Sequence, residues 1–388
     1  MSFPRGAELN DTVISDASFL LDVPVVTASE YAAIEDRCRQ VLSTERATFV
    51  FQGEAIVVLE AAARGLGRPG MTALNLVHGP YGGFFGQWLS EAGAQVEDLV
   101  VPFDQAVGPE QVEAALDRLG EVEVISVVHA EAATGVRNDL GAIAKIARSR
   151  NALIVVDAVA SVGAEPLQID DWDLDLVVTA PRKALAGPSG VTMVVVSDRG
   201  WRSLASRPSP WRGSVLSLLD WRDLWVETDR SSFPFVPSHL ETRALGACID
   251  RVAQEGMQGV IARHRAAAAA VRAALSPLGL RGWARPSEAA SVATLVRPPA
   301  EGSHALVTAA RVNLAQSPAL ITVAPPPLAN EAIRVNHTGL LASLGAVSSA
   351  VEALALGMRS LGHDADLGAA LAVTAETWSA TQTGNLSY

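Results

Sequence analysis

The sequence predicts an α/β fold with a mostly parallel central sheet in a large domain and a smaller C-terminal α+β domain. Short, continuous apolar runs alternate with helix-length segments over residues 71–197, which is typical of parallel strands covered by helices on both faces. After about residue 240 the pattern changes to a long alanine-rich helix followed by weaker strands. Because 388 residues are too many for one simple core, we expect two domains, residues 1–240 and 241–388.

The elements of the large domain follow from this alternation. Residues 28–67 are predicted to be helical in part. The predicted strands are 71–77, 95–101, 122–128, 152–158, 174–180 and 191–197, and the predicted helices lie near 83–93, 109–119 and 139–150. In an open parallel sheet, ligands bind outside the carboxyl ends of the strands, so functional residues are expected there and in the loops that follow.

The smaller domain is predicted from weaker signals. A helix over 257–275 leads into strands at 291–297 and 319–324, and another helix lies near 341–361. The last 25 residues or so are predicted to form a terminal helix and a frayed tail. No internal repeat is found.

The segment GLGRPG, residues 65–70, matches a dinucleotide-binding pattern. It closes a predicted helix and precedes a strand, however, whereas a dinucleotide site needs the order strand, turn, helix. We interpret it as a helix stop, with a glycine cap and with Pro69 preventing continuation.

The composition narrows the class of protein. A formal net charge of −12 without any basic block argues against binding to nucleic acid or to an acidic membrane surface. The N-terminus has no signal-peptide pattern, and no apolar run reaches transmembrane length. Cys38 and Cys248 match no metal or redox spacing, which suits a reducing compartment. We therefore expect a soluble cytoplasmic protein without a metal site.

Lys183 is one of only two lysines in a chain with 30 lysine and arginine residues; the other is Lys145. It lies between the apolar run LDLVVTA and the loop AGPSG. Unlike arginine, a desolvated lysine can lose its proton and attack a carbonyl carbon to form a Schiff base. The alternative is that a coding bias toward arginine happened to spare this lysine, and the residue alone does not decide between the two.

Asp157 ends the apolar run ALIVVD, 26 residues before Lys183. A carboxylate at the end of a buried strand is costly unless it has a partner. One alternative is that it caps the next turn. The other is a pyridine-ring cofactor, which needs a lysine to hold its aldehyde and a carboxylate to keep its ring nitrogen protonated, so that the ring withdraws electrons from the substrate.

The segments VHAEAATGVRNDLGAIAKIARSRNALIVVDAVASVGAEPLQID and TAPRKALAGPSG resemble the class V branch of the fold-type I pyridoxal-phosphate enzymes, the alanine–glyoxylate and serine–pyruvate aminotransferase group. This resemblance implies a fold-type I aminotransferase. It also implies that Asp157 pairs with the ring nitrogen and that Lys183 carries the cofactor as a covalent aldimine and moves protons. Val159 would then lie against one ring face and Tyr81 would stack on the other.

The segments FQGEAIVVLEAAARGL and NLVHGPYGGFFGQW are similar to the pyridoxamine–pyruvate aminotransferase branch, which uses free pyridoxal or pyridoxamine as a substrate. Gly53, Glu54 and Ala55 stand where other members have a phosphate-binding turn that opens a helix. Two unit charges about 4 Å apart at an effective dielectric of 20 repel by about 4 kcal/mol, so Glu54 would disfavour a phosphate and accept a hydrogen bond from a 5′-hydroxyl. The alternative is a glutamate that merely suits the start of a helix.

Two arginines complete the predicted site. The resemblance places Arg334, in EAIRVNHTG, on the α-carboxylate of the substrate, a task that suits a guanidinium. Arg182 replaces the usual amide neighbour of the lysine and could contact the ring oxygen, an anion or another subunit. The pattern also departs from the family at Ala132 and Ala133, where many relatives have hydroxyl residues, and at APPP (324–327), where a second substrate arginine is missing.

The resemblance therefore implies an aminotransferase that moves an amino group between pyridoxamine or pyridoxal and a small 2-oxo acid such as pyruvate, as a homodimer or homotetramer. Two alternatives stay open. One is a conventional enzyme that holds pyridoxal 5′-phosphate and acts on a specialised amino acid as an aminotransferase, lyase or epimerase. The other is a catalytically silent relative with a binding role.

Overall fold

The computed structural model describes residues 23–312, 314 and 318–382. Its centre is a seven-stranded sheet, built from β1 (Ala47–Gln52), β2 (Thr72–Val77), β3 (Gln95–Val100), β4 (Val124–Val128), β7 (Leu153–Asp157), β8 (Leu176–Thr179) and β9 (Val191–Val196) in the order β1-β9-β8-β7-β4-β2-β3. A separate two-stranded ribbon pairs β5 (Ala130–Glu131) with β6 (Val136–Arg137).

Six of the seven strands run in one direction, and only β9 is reversed, because it pairs antiparallel with both β1 and β8. The sheet is therefore mostly parallel, as predicted. The carboxyl ends of β1, β2, β4, β7 and β8 all meet at one edge, and the loops after them form a common surface.

α-Helices lie between the successive strands of the seven-stranded sheet from β1 to β7, whereas β7, β8 and β9 are joined by loops and a short 3₁₀ turn. In the large domain the α-helices are α1 (Ala28–Val41), α2 (Ala55–Leu66), α3 (Pro80–Glu91), α4 (Pro109–Leu119), α5 (Leu140–Ser149), α6 (Asp198–Ala205), α7 (Leu218–Leu224) and α8 (His239–Glu255). Their apolar faces and the sheet share one core. GLGRPG ends α2 as predicted, since the N–H of Gly67 caps the helix on the carbonyl of Ala63.

The C-terminal part is an α+β arrangement. Helix α9 (Met257–Leu275) leads into a four-stranded antiparallel sheet, β10 (Arg281–Gly282), β11 (Thr294–Arg297), β12 (Ile321–Val323) and β13 (Ile333–Val335), with helices α10 (Ser303–Arg311), α11 (Leu344–Ser360) and α12 (Leu367–Gln382). A second core joins α9, α10, α11 and this sheet. The predicted frayed tail, residues 383–388, lies outside the described residues.

The boundary between the two domains was predicted after residue 240 and stays a prediction. The first core includes side chains as far along the chain as Val260, and the second begins at Ala267. Helix α9 therefore contributes to both cores and connects them. None of the helices in the described ranges is long and apolar enough to cross a membrane.

Candidate active site

A cavity of about 470 Å³ opens at the edge where the parallel strands end. Each strand end supplies a polar or aromatic side chain from the residues that close or follow it. The lining includes Glu54 after β1, Tyr81 after β2, Glu131 after β4, Asp157 at the end of β7, and Arg182 and Lys183 after β8. The structure thus brings together side chains that are up to 129 residues apart, Glu54 and Lys183 being the most distant.

Asp157 is the last residue of β7, and its carboxylate accepts a hydrogen bond of 2.9 Å from the N–H of Val159. Burial raises the pKa of Asp157 to about 6, against the opposing effects of that hydrogen bond and of the Lys183 charge. Val159 itself is buried in the cavity wall. A carboxylate in this position can stabilise a protonated ring nitrogen. The positive charge of that nitrogen would in turn lower the pKa of Asp157 toward its ordinary range.

Lys183 begins a short 3₁₀ turn (Lys183–Leu185) and has a left-handed backbone with φ of 65°. Non-glycine residues rarely adopt this conformation, and where they do the surrounding structure holds them in place. Burial lowers the pKa of the Lys183 amine, and the charge of Arg334 lowers it further, while Asp157 and Glu131 raise it. A lowered pKa increases the fraction of neutral, nucleophilic amine.

Tyr81 lies in the first turn of α3 at the mouth of the cavity. Its ring centroid is 5.6 Å from Nζ of Lys183. The ring also makes an edge contact with Phe84, one turn further along the helix, at a centroid distance of 6.2 Å. The aromatic ring thus lies beside the amine, and its stacking on a cofactor ring stays a prediction.

Glu54 is the N-cap residue of α2, and its Oε2 accepts a hydrogen bond of 3.1 Å from the N–H of Ile56. Its other oxygen, Oε1, makes a close ion pair with the guanidinium of Arg182. The carboxylate therefore already occupies the anion-binding end of the helix, with a cation of the chain as its partner. Arg182 thus contacts a carboxylate of its own chain, and the contacts with the ring oxygen, an anion or another subunit that the sequence analysis considers stay predictions.

The turn that carries Glu54 is held on both sides. The side chain of Gln52 donates to the Tyr31 hydroxyl at 2.9 Å and accepts from the N–H of Ser238 at 2.8 Å. Gly53 donates its N–H to the carbonyl of Gly190 at 2.9 Å. Ala55, the first residue of α2, lies in the cavity wall.

Arg334 approaches from the small domain, where it is the central residue of β13. Burial lowers the pKa of its guanidinium, while Tyr81 and Glu131 raise it. Its Nε is buried and has no hydrogen-bond partner among the residues the structure describes. A buried cation without a full set of partners is suited to an anionic ligand.

Glu131 was not predicted as a site residue. Its carboxylate accepts hydrogen bonds of 3.3 Å from the N–H groups of Tyr81 and Ala133, and burial together with the charge of Asp157 raises its pKa to about 7. The signal that identified Asp157, a carboxylate at or just after the end of an apolar strand, also applies to Glu131, three residues beyond Val128, the last residue of β4.

These residues fit a pyridoxal-type ring. The site offers an amine for the aldehyde, a carboxylate for the ring nitrogen, and an aromatic and an apolar face between which a flat ring can lie. The charge of Arg334 acts on the Lys183 amine, and its unpartnered Nε suits a carboxylate of the substrate.

Comparisons with known proteins identify the family and related folds. A family model described as aminotransferase class-V matches residues 54–312. The pyridoxamine–pyruvate transaminase of Mesorhizobium japonicum is 34% identical over 270 residues, 69% of this chain and 68% of the relative. The L-aspartate–glyoxylate aminotransferase of Paracoccus denitrificans is 28% identical over 92% of this chain and 90% of its own. The crystal structure of pyridoxamine–pyruvate aminotransferase from Mesorhizobium loti superposes with a TM-score of 0.85 at 28% identity, covering 96% of this chain and 94% of that one.

Proposed function

This chain belongs to the aminotransferase class-V family, and we propose that it moves an amino group between free pyridoxamine or pyridoxal and a small 2-oxo acid such as pyruvate. The observation that carries the proposal is the carboxylate of Glu54 at the N-terminus of α2, where a phosphate would otherwise be held. The similarity to pyridoxamine–pyruvate transaminase supports it.

Four side chains hold the ring in this proposal. Asp157 keeps the ring nitrogen protonated, Tyr81 and Val159 cover the two faces, and Glu54 accepts a hydrogen bond from the 5′-hydroxyl. A protonated pyridine aldehyde supplies the electron sink that stabilises negative charge at the substrate carbon.

The proton steps fall to Lys183, which binds the ligand covalently when no amine substrate is present and otherwise acts as the base. It takes the proton from the carbon that carries the amino group and returns it to the other carbon of the pair, C4′ of the ligand or the α-carbon of the amino acid. Its lowered pKa favours the neutral form that this transfer needs. Arg334 holds the carboxylate of the 2-oxo acid and so fixes which carbon faces the amine.

A second candidate is a conventional enzyme that binds pyridoxal 5′-phosphate. The observation in its favour is Arg182, a cation next to the same helix terminus. In that case Glu54 would have to turn away from the cavity or be protonated, because its carboxylate would face the phosphate.

The function is tested by mixing the purified protein with pyridoxamine and pyruvate and measuring pyridoxal and alanine. We expect both products in equal amounts, none with Lys183→Ala, and normal amounts with Lys145→Ala as the control for losing a lysine. If the protein instead releases alanine only from other amino donors and only when pyridoxal phosphate is added, the second candidate is correct.

We further propose a homodimer in the cytoplasm. Tyr81 and Phe84 expose 38% and 45% of their surfaces beside the cavity mouth, and exposed aromatic patches of this kind mark interfaces. Both cysteines are free and buried, which suits a reducing compartment. A single species of twice the chain mass in sedimentation would support the dimer.

A further inference from the structure

We propose that Arg182 is the cation that would bind a phosphate monoester at this site: in the present chain it is held as the counter-ion of Glu54, and removing the Glu54 carboxylate frees it for a phosphate. The inference rests on the proposed function, in which the natural ligand carries a 5′-hydroxyl. According to this proposal, the residues of a phosphate-binding site are present, and the Glu54 carboxylate occupies the place that the phosphate would take.

The geometry places the two residues on the same side of the cavity from different strands. Glu54 follows β1 and Arg182 follows β8, and β9 lies between these strands in the sheet. Their side chains meet in a direct ion pair, with 35% and 39% of their surfaces exposed. An ion pair this exposed adds little to folding stability, so the fold does not account for its presence in the cavity wall.

The components of a phosphate site are all present. A helix N-terminus supplies backbone N–H groups, and the N–H of Ile56 points at the Glu54 carboxylate. A guanidinium binds a phosphate in the same two-pronged manner as it binds a carboxylate. In the present chain both donors are bound to Glu54.

The charge balance decides which ligand the site prefers. With Glu54 and Arg182 paired, a neutral 5′-hydroxyl adds no charge and can donate to the carboxylate. A phosphate dianion would share one guanidinium with a carboxylate and would lie close to it, which is unfavourable. Without the carboxylate, the same guanidinium and helix terminus would face the phosphate alone.

The test uses four purified, ligand-free proteins: wild type, Glu54→Ser, Arg182→Gln and the double variant. Serine is chosen because it is a good N-cap residue and keeps α2 intact. Each protein is titrated with pyridoxal and with pyridoxal phosphate, and the absorbance of the covalent adduct gives the affinities. Glu54→Gln, which keeps the shape and removes the charge, is run beside them.

We expect Glu54→Ser to raise the ratio of pyridoxal phosphate affinity to pyridoxal affinity about 100-fold or more over wild type, since removing a repulsion and adding a charge-assisted bond each change affinity about tenfold or more. In the double variant, Arg182→Gln should lower this affinity ratio at least about tenfold relative to Glu54→Ser. If the double variant binds pyridoxal phosphate as tightly as Glu54→Ser does, Arg182 has no such role and the inference is wrong.

Inorganic phosphate gives a reading that does not depend on the ring. It should raise the melting temperature of Glu54→Ser and leave wild type and the double variant unchanged. Arg118→Gln, which breaks an exposed ion pair with Glu97 on the surface, controls for the loss of one arginine charge.

The two proposals fail in different ways. A wild-type protein that already prefers pyridoxal phosphate overturns the proposed function, while the comparison of Glu54→Ser with the double variant still decides the role of Arg182. A protein set that forms no adduct with either compound overturns both.

Discussion

Gly339 of the small domain packs against Lys183 so closely that a Cβ atom at position 339 would lie 2.8 Å from the Lys183 carbonyl oxygen. Gly339 also has a left-handed φ of 65°, and its N–H donates to Nε2 of His264 at 3.0 Å. A turn of the small domain thus holds the unusual backbone of the lysine in place, and the close approach requires glycine.

Replacing Gly339 with alanine should therefore disturb the lysine. We expect a loss of about 1–3 kcal/mol in the free energy of unfolding, because the new Cβ meets backbone and the φ is unfavourable, and a fall in the rate of adduct formation with pyridoxal. Gly345→Ala is the control, since nothing lies within 4 Å of a Cβ there. Equal stability and equal rates in the two variants would contradict this account of Lys183.

Asp157→Asn should lower turnover and raise the stability of the ligand-free protein. The pKa of Asp157 is raised in the fold from 3.8 to about 6, so its contribution to stability is complete below pH 3.8 and is lost as the pH rises through 6. We expect the asparagine variant to be more stable by about 1–3 kcal/mol at pH 8, an advantage that shrinks toward pH 4. Urea unfolding at the two pH values measures it, and an advantage independent of pH would show that burial does not perturb this carboxyl.

Glu131→Gln should shift the pH dependence of adduct formation. Two carboxylates, Glu131 and Asp157, raise the pKa of Lys183. Two arginines, Arg334 and Arg182, lower it. Removing the Glu131 carboxylate should therefore move the midpoint of adduct formation to lower pH. Arg334→Gln should move it to higher pH, so opposite shifts in the two variants are the expected result and shifts of the same sign would refute the electrostatic argument.

Arg334→Lys tests the substrate contact. A lysine keeps the charge and loses the two-pronged geometry, so the KM for pyruvate should rise about 10-fold to 100-fold while the affinity for pyridoxal changes little. Arg311→Lys on α10 in the small domain serves as the matched control. An unchanged KM would remove Arg334 from the substrate site.

The fold could be predicted well wherever the local sequence decides it. Helix α4 has the predicted bounds, because Pro109 suits its first position and Gly120, with φ of 77°, follows its end. Helix α9 also has its predicted bounds. Strand β1 was missed inside a stretch interpreted as partly helical, since a short apolar run does not by itself distinguish strand from helix.

The sequence predicted most of the residues that line the candidate site, but it did not predict which of them contact one another. Asp157 and Lys183 stand out because each polar side chain ends or follows an apolar strand. The Glu54–Arg182 ion pair could not be predicted, because its partners are 128 residues apart and meet only when β1 and β8 lie in one sheet. The hydrogen bond from the N–H of Tyr81 to Glu131 could not be predicted either, because the two residues are 50 positions apart in the chain.

The central claim is that the site is built for a B6 compound without a phosphate. The most direct test is an absorbance titration of the ligand-free wild-type protein with pyridoxal and, separately, with pyridoxal phosphate, with Lys183→Ala as the control for the covalent adduct. The account predicts tighter adduct formation with pyridoxal and no adduct in the control. Tighter binding of pyridoxal phosphate by the wild type would contradict it and would favour an enzyme that acts on amino acids with a bound phosphorylated cofactor.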